Sequence, residues 1–198
     1  FKINKRDYKI NLPGAYNVYN AAFAVAIAEY FNISYSECKE ILEQFQGVSD
    51  RFEILRADKP AIIFDYAHNP AKINALLKHS ISFYENILFI YQPHGFSATQ
   101  FLKNELYSLF AQFFFDKTNK LLLRPIYYAG GTVEKKITSE IMTAELKENN
   151  KVNVDFAPNN EFIIEYVKRN ANRFAAIIIC GARDRNLRAL GEDLTKIF

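Results

Sequence analysis

The stretch Ala61-Ile-Ile-Phe-Asp65-Tyr-Ala-His68-Asn69-Pro70 contains the pattern that decides the fold. Its first four residues are apolar without alternation, which is typical of a strand that is covered on both faces. Polar residues follow, and Pro70 suits the first turn of a helix. A buried strand that runs through a short polar loop into a helix is the repeating unit of an α/β sheet.

The same alternation continues to the end of the chain. Further short apolar runs lie at Ile87–Tyr91, Leu121–Leu123, Val152–Phe156 and Ala175–Cys180. Helical patterns lie between or after the runs, at about Pro70–Ser82, Thr99–Phe115, Ser139–Glu148, Asn160–Ala171 and Leu187–Ile197. We therefore predict an α/β fold with a mostly parallel, Rossmann-like sheet flanked by helices.

The first 49 residues follow a different pattern. Residues 1–12 alternate loosely around a polar turn, which predicts either a hairpin or strands of a sheet whose remainder is missing. A buried, Ala-rich helix is predicted over Asn17–Phe31. Ser34 and Glu37 then form the capping box of a second helix. We expect a small α+β segment here, with a domain boundary near Gly47–Asp50.

Composition excludes several classes of protein. The 198 residues carry 25 Lys and Arg against 22 Asp and Glu, and a net charge of +3 argues against a nucleic-acid platform. Apolar runs are too short to cross a membrane, and no secretion signal opens the sequence, so we expect a cytoplasmic protein. Cys38 and Cys180 lack metal-type spacing, which predicts reduced thiols. The sequence contains no G-x-x-x-x-G-K-[ST] motif, the loop that cradles phosphates.

The loop after Phe64 is a candidate site, because ligands of open α/β sheets bind at the carboxyl ends of strands. Asp65 is placed to accept hydrogen bonds from a sugar diol, and His68 to contact a substrate or a phosphate. The alternative is that Asp65 and Asn69 only cap the following helix while His68 is solvated. The spacing alone does not decide between them.

A second polar loop, Gln92-Pro93-His94-Gly95, follows the next long strand. We expect His68 and His94 to face one crevice, because their loops follow strands predicted to be adjacent. Those histidines and Asp65 would lack a further metal ligand, so we predict no metal site. His79 falls within a helical pattern and is predicted to lie on the surface.

Two later loops contain glycine after a strand. Gly130-Gly131 permits a close backbone approach to a ligand, or only marks a turn. Gly181-Ala-Arg183-Asp184-Arg185 is able to present backbone N–H groups and Arg183 to an anion, and a plain turn with solvated charges fits equally well.

Several segments taken together resemble the Mur ligases, the ATP-dependent amide-forming enzymes of peptidoglycan precursor synthesis. Gly14-Ala-Tyr16-Asn17-Val-Tyr-Asn20 resembles the family's G-x-H-N-x-x-N helix start, and Ser49-Asp50-Arg51-Phe52-Glu53 resembles its G-R-x-E junction. The segment Asp65–Pro70 is similar to the D-Y-A/G-H-x-P motif. Gln92-Pro93-His94 is similar to the Q-P-H-R motif of the branch that adds alanine to UDP-N-acetylmuramate.

This resemblance implies a domain assignment. Residues 1–49 correspond to the end of the family's central, ATP-binding domain, and residues 50–198 to its C-terminal domain. The family's phosphate-binding loop, metal-binding carboxylates and carbamylated lysine lie upstream, so we expect the fragment by itself to be inactive. The implied cofactors are ATP and Mg²⁺, held mainly by the missing part. The implied partners are a UDP-muramyl-type substrate, an amino acid and the remainder of the parent ligase.

The resemblance also implies roles for single residues. Asn17 and Asn20 lie near the adenine, Arg51 contacts the nucleotide and Asp65 holds the ribose. Catalytic roles are implied for Asp65, His68 and His94. Substrate-binding roles are implied for His68, Asn69 and His94, and the loop after the last strand adds Arg183 as a further substrate-binding candidate. The implied reaction is phosphoryl transfer to a carboxylate, which forms an acyl-phosphate that the amine attacks.

Some positions depart from the family's pattern. Tyr16 replaces a histidine, and Asp50 replaces a glycine. Phe64, Gly95 and Ala98 replace an aspartate and two arginines of the alanine-adding branch. Two alternatives therefore stay open: a non-catalytic, Mur-ligase-like binding module, and a Mur-type or folylpolyglutamate-type ligase with a different acceptor.

Overall fold

The alternating strands and helices predicted after residue 50 are present in the structure, a computed structural model that describes residues 1–12, 14–128, 130, 136–181 and 184–198. The chain divides into two units, Phe1–Val48 and Ser49–Phe198. Within the described ranges, no helix has the length and apolar character needed to span a bilayer.

The first unit is small and has its own core. Its elements are β1 (Lys2–Ile3), β2 (Arg6–Asp7), α1 (Ala15–Tyr30) and α2 (Tyr35–Gln44). The two strands pair in antiparallel fashion, which confirms the predicted hairpin. The capping box of α2 is also confirmed, because the Ser34 N–H donates to Glu37 Oε2 at 3.0 Å while the Glu37 N–H donates to Ser34 Oγ at 3.3 Å.

The described part of the second unit contains a six-stranded sheet. Its strands are β3 (Glu53–Arg56), β4 (Ala61–Asp65), β5 (Ile87–Gln92), β6 (Lys120–Leu123), β7 (Val154–Phe156) and β8 (Ala176–Gly181). Their order across the sheet is β3-β4-β8-β5-β6-β7. All neighbouring pairs are parallel except β3 with β4, so the predicted mostly parallel α/β sheet is confirmed.

Helices cover both faces of this sheet. They are α3 (Pro70–Ile81), α4 (Phe96–Phe101), α5 (Lys103–Phe114), α6 (Ser139–Asn150), α7 (Asn160–Asn170) and α8 (Arg185–Thr195). One core packs β-sheet residues such as Phe89 and Tyr91 against α3, α5 and α6. A second core packs residues such as Phe64 and Ile179 against α7 and α8. Burial on both faces explains why the central strands read as unbroken apolar runs.

Two features differ from the prediction. Strand β3 was not predicted, because Glu53-Ile-Leu-Arg56 is short and charged at both ends, which an edge strand tolerates. The single helix predicted over Thr99–Phe115 is two helices, α4 and α5, divided at Leu102.

Candidate functional site

The carboxyl ends of the central parallel strands lie at one edge of the sheet. In the strand register, Asp65 of β4 pairs with Cys180 of β8, which pairs with Tyr91 of β5. We call this the carboxyl edge; the residues that define it are Asp65, Gly181, Gln92 and Arg124. The loops that carry the predicted site residues of this unit leave from here.

One expectation about this edge is wrong. The loops with His68 and His94 follow β4 and β5, and β8 lies between those two strands. Strands β4 and β5 are consecutive in the chain but not adjacent in the sheet, because β8 pairs with both of them. The loops still leave at the same edge, and the Tyr91 hydroxyl donates to the His68 carbonyl oxygen at 3.4 Å.

Asp65 joins two loops rather than capping α3. Its Oδ2 accepts the Phe52 N–H at 2.7 Å, and its Oδ1 accepts the Ala67 N–H at 2.7 Å. Burial raises the pKa of Asp65, while the two N–H donors and the charge of Arg51 oppose that shift. The Asp65 residue is half-buried, neither fully exposed nor part of the core.

The turn that precedes β3 has an unusual backbone. Asp50 and Phe52 have φ angles of 61° and 45°, in the left-handed region that disfavours side chains. The Asp50 N–H donates to Glu53 Oε2 at 2.8 Å, and the Asp50 carbonyl accepts the Tyr66 N–H at 2.8 Å. These bonds, with the one from Phe52 to Asp65, stabilise a conformation that is costly by itself.

Arg188 of α8 holds the same turn from the other side. Its guanidinium donates to both carboxylate oxygens of Glu53, at 2.6 and 2.9 Å, and to Asp50 Oδ1 at 3.1 Å. The ion pair lowers the pKa of Glu53. No local pattern in the sequence could have predicted this contact, because Arg188 lies 135 residues from Glu53.

The turn positions Arg51 above the loop after β4. The Arg51 guanidinium lies 5.3 Å from the centre of the Tyr66 ring, a cation–π contact. The Tyr66 ring also packs edge-on against His68, at 5.2 Å between centroids. The two segments that carry the junction and D-Y-A-H-N-P motifs are therefore brought together.

His68 has a defined tautomer when neutral. Its Nδ1 lies 2.8 Å from the Tyr66 carbonyl oxygen, which only accepts hydrogen bonds. Nδ1 is therefore the donor, and Nε2 carries the lone pair that a ligand can use. Asn69 caps α3, since its Oδ1 accepts the Lys72 N–H at 3.0 Å.

His94 lies in the middle of the three-residue loop between β5 and α4. It bridges to Tyr127 in parallel, and the two rings lie 5.5 Å apart. The Gly95 N–H donates to the Tyr127 carbonyl at 2.8 Å. Gly95 has a φ of 73°, which favours glycine at this turn.

The remaining predicted site residues lie elsewhere. Asn17 and Asn20 lie in the first turns of α1, in the first unit, three residues apart and hence on a shared face. Arg183 and Gly131 lie outside the described residues. The prediction for His79 is wrong: the side chain is half-buried against Phe52 and Phe83, and burial lowers its pKa.

Sequence reasoning did not single out two buried polar residues of the carboxyl edge, Gln92 and Arg124. Only 5% of Gln92 and 6% of Arg124 is exposed. Arg124 follows Leu121–Leu123 directly, just as Asp65 follows its own apolar run. A polar residue directly after a buried apolar run is the sequence feature that could have identified Arg124. In the described part of the chain, no group of three or more His, Cys, Asp or Glu residues is arranged to hold a metal ion.

A mostly parallel α/β sheet with polar residues gathered at its carboxyl edge defines a Rossmann-like ligand-binding domain. The family model of the Mur ligase glutamate ligase domain matches residues 50–183, which is more than half of the chain. The chain belongs to the Mur ligase family, as the sequence motifs predicted.

Relatives named UDP-N-acetylmuramate–L-alanine ligase are similar over nearly all of the chain. The one from Acetivibrio thermocellus is 33% identical over 92% of this chain and 39% of its own length. The one from Fusobacterium nucleatum is 32% identical over 92% of this chain and 40% of its own length. The chain thus spans about two fifths of the relatives it matches.

A solved structure shares the fold. The UDP-N-acetylmuramate–alanine ligase of Thermotoga maritima superimposes with a TM-score of 0.71 at 22% identity, over 98% of this chain and 40% of that one. At this identity the likeness shows the fold alone.

Proposed function

We propose that this chain is the C-terminal part of an ATP-dependent ligase that joins an amino acid to a UDP-muramyl-type carboxylate in cytoplasmic peptidoglycan precursor synthesis. One observation carries the proposal. The two segments most similar to Mur ligase motifs, around Arg51 and around Asp65, are tied together at the carboxyl edge by the Phe52–Asp65 hydrogen bond. The names of the relatives support the branch that uses alanine.

The proposed domain assignment is supported by the family model, whose match begins at residue 50. Residues 1–49 would be the end of the central ATP-binding domain, and residues 50–198 the C-terminal domain. The sequence contains no G-x-x-x-x-G-K-[ST] motif, so another part of the complete ligase would have to hold the phosphates. We assign Mg²⁺ to the same part.

The residues at the carboxyl edge fit a nucleotide. A ribose diol donates hydrogen bonds, and the half-buried Asp65 carboxylate has acceptor capacity beyond its two N–H partners. The exposed guanidinium of Arg51, held over Tyr66, suits a phosphate or a base. We place Asn17 and Asn20 near the adenine.

The acid and the amine would react beside this nucleotide. ATP supplies the phosphoryl group that converts the carboxylate into an acyl-phosphate. We propose that His68, through Nε2, and His94 contact the reacting groups, and that Asn69 and Arg183 bind the substrate. Their main contribution would be to bind and orient the acid and the amine.

The test is phosphate release by the complete ligase with ATP, Mg²⁺ and UDP-N-acetylmuramate, across a panel of amino acids. We expect release that depends on both the acyl donor and one amino acid. Release that requires neither, or no release with any amino acid, would refute the proposal and favour the non-catalytic binding module. Turnover only with a different acyl donor, such as a folate, would favour the second alternative.

A further inference from the structure

Arg124 is a buried arginine, and part of its guanidinium has no hydrogen-bond partner among the described residues. It follows β6 directly, and 6% of the residue is exposed. Its Nε and Nη1 atoms are buried and find no hydrogen-bond acceptor in the part of the chain that the structure describes. An arginine keeps its charge in proteins, so such burial is costly unless something else binds it.

The Arg124 side chain lies on the α7 and α8 side of the sheet. Side chains alternate along a strand, and the preceding Leu123 belongs to the opposite core. Burial lowers the pKa of Arg124, and the charges of Asp184 and Glu161 oppose that shift only in part. Neither accepts a hydrogen bond from Nε or Nη1.

Gln92 presents a buried acceptor beside this cation. The backbone N–H of Arg124 donates to the backbone carbonyl of Tyr91 at 2.9 Å. This bond places Arg124 next to Gln92, the residue after Tyr91 on the neighbouring strand. Tyr91 belongs to the same core as Leu123, so Gln92 lies on the α7 and α8 side too. Gln92 Nε2 donates to the Pro125 carbonyl at 3.3 Å, while its Oε1 is buried and has no hydrogen-bond partner within the described ranges.

We propose that Arg124 and Gln92 form a subsite for a carboxylate-bearing ligand, in which the guanidinium donates to the carboxylate and Gln92 Oε1 accepts from an N–H or O–H of the same molecule. The planar fork of the guanidinium matches the two oxygens of a carboxylate. The identity of the ligand rests on the proposed function, in which both the amino acid and the acyl donor carry a carboxylate.

This subsite has a consequence for stability. If a buried arginine stabilises the fold, replacing it makes the protein less stable. If its buried charge is instead kept to bind a ligand, replacing it leaves the stability of the protein unchanged or raises it. Arg124→Met in the 198-residue chain should therefore unfold at the same Tm as the parent or at a higher one. The exposed Arg169→Met serves as the matched control, with an unchanged Tm.

The kinetic test uses the complete ligase with Arg124→Met and with the charge-conserving Arg124→Lys. We expect the KM of one carboxylate substrate to rise at least about tenfold in both variants, with the KM of ATP unchanged. A higher KM for the amino acid identifies the carboxylate of the amino acid as the ligand. A higher KM for the acyl donor identifies the carboxylate of the donor. Unchanged KM values for both, or a parallel rise for ATP, would overturn the subsite.

A second readout keeps this inference separate from the proposed function. If the complete ligase releases no phosphate with any amino acid, the 198-residue chain is titrated with acetate while its arginine Nε–H resonances are followed by NMR. A resonance that shifts in the parent and is missing in Arg124→Met supports the subsite. The absence of any such shift refutes it.

Discussion

The Asp65 carboxylate and the Phe52 backbone N–H, thirteen residues apart, are joined by a hydrogen bond of 2.7 Å. This bond ties the turn before β3 to the loop after β4, and the other carboxylate oxygen accepts the Ala67 N–H. Asp65 thus has a structural role in addition to the nucleotide contact that we propose for it.

Replacing Asp65 should therefore cost stability in a graded way. Asp65→Ala leaves both N–H groups without their acceptor, and we expect a loss of about 1–3 kcal/mol in the free energy of unfolding. Asp65→Asn keeps one oxygen acceptor and should lose less. Urea unfolding of the chain measures both, with the exposed Asp58→Ala as control. Equal stability of all three variants would contradict the role of the carboxylate.

Arg188 should stabilise the same turn through Glu53. Arg188→Met removes the two-point ion pair with Glu53, and we expect it to lower the free energy of unfolding by about 1–2 kcal/mol. Glu192→Gln removes only a contact within α8 and serves as the control, with a small effect expected. The pKa of Glu53 is lowered in the folded protein, so its contribution is present above about pH 4.3 and is lost as the pH falls through the lowered value. Unfolding curves from pH 7 to pH 3 should show this loss in the parent but not in Arg188→Met. A parallel loss in both proteins would exclude the ion pair as its source.

His79 should make the second unit sensitive to mild acid. Burial lowers its pKa, so the unfolded chain binds a proton more readily than the folded one. The contribution of neutral His79 to the free energy of unfolding is complete above about pH 6.5. It declines as the pH falls from there toward the lowered pKa of His79 in the folded protein. We expect His79→Leu to flatten this part of the dependence of Tm on pH. An identical slope in parent and variant between pH 7 and pH 5.5 would show that His79 is not responsible.

Two glycines should differ in how much stability their replacement by alanine costs. A Cβ at Gly181 would lie 2.9 Å from the Gln92 carbonyl oxygen, and this backbone atom cannot yield without disturbing the sheet. We expect Gly181→Ala to destabilise the chain by about 1–3 kcal/mol. At Gly191 the nearest atom is the mobile end of Leu55, and alanine favours the helix, so the change should stay within about 1 kcal/mol. Thermal unfolding of the two variants measures which has the lower Tm. A lower Tm for Gly191→Ala than for Gly181→Ala would contradict the prediction.

Much of the fold could be predicted because strong local patterns coincide with burial. The apolar runs around Phe89 and Ile178 are covered on both faces, so they read as strands without ambiguity. The capping box of Ser34 and Glu37 is local chemistry, and it is present as predicted. Strand β3 was missed because an edge strand carries little apolar signal.

The candidate site could be predicted only in part. The carboxyl-edge rule identifies Asp65 from its position after a buried run, and the same rule applied to Arg124 would have found a second buried polar residue. Strand order was beyond local patterns, since nothing in the sequence near His68 or His94 indicates that β8 lies between their strands. The partnership of Arg188 with Glu53 is equally non-local.

The central claim is that the loops of the carboxyl edge bind the nucleotide, and the KM of ATP for Arg51→Met in the complete ligase tests it most directly. Arg51 contributes a cation–π contact at an exposed position, so the variant should fold normally. We predict that the KM of ATP rises about tenfold or more while that of the amino acid is unchanged, with Arg169→Met as the unaffected control. An unchanged KM of ATP in Arg51→Met would contradict the account.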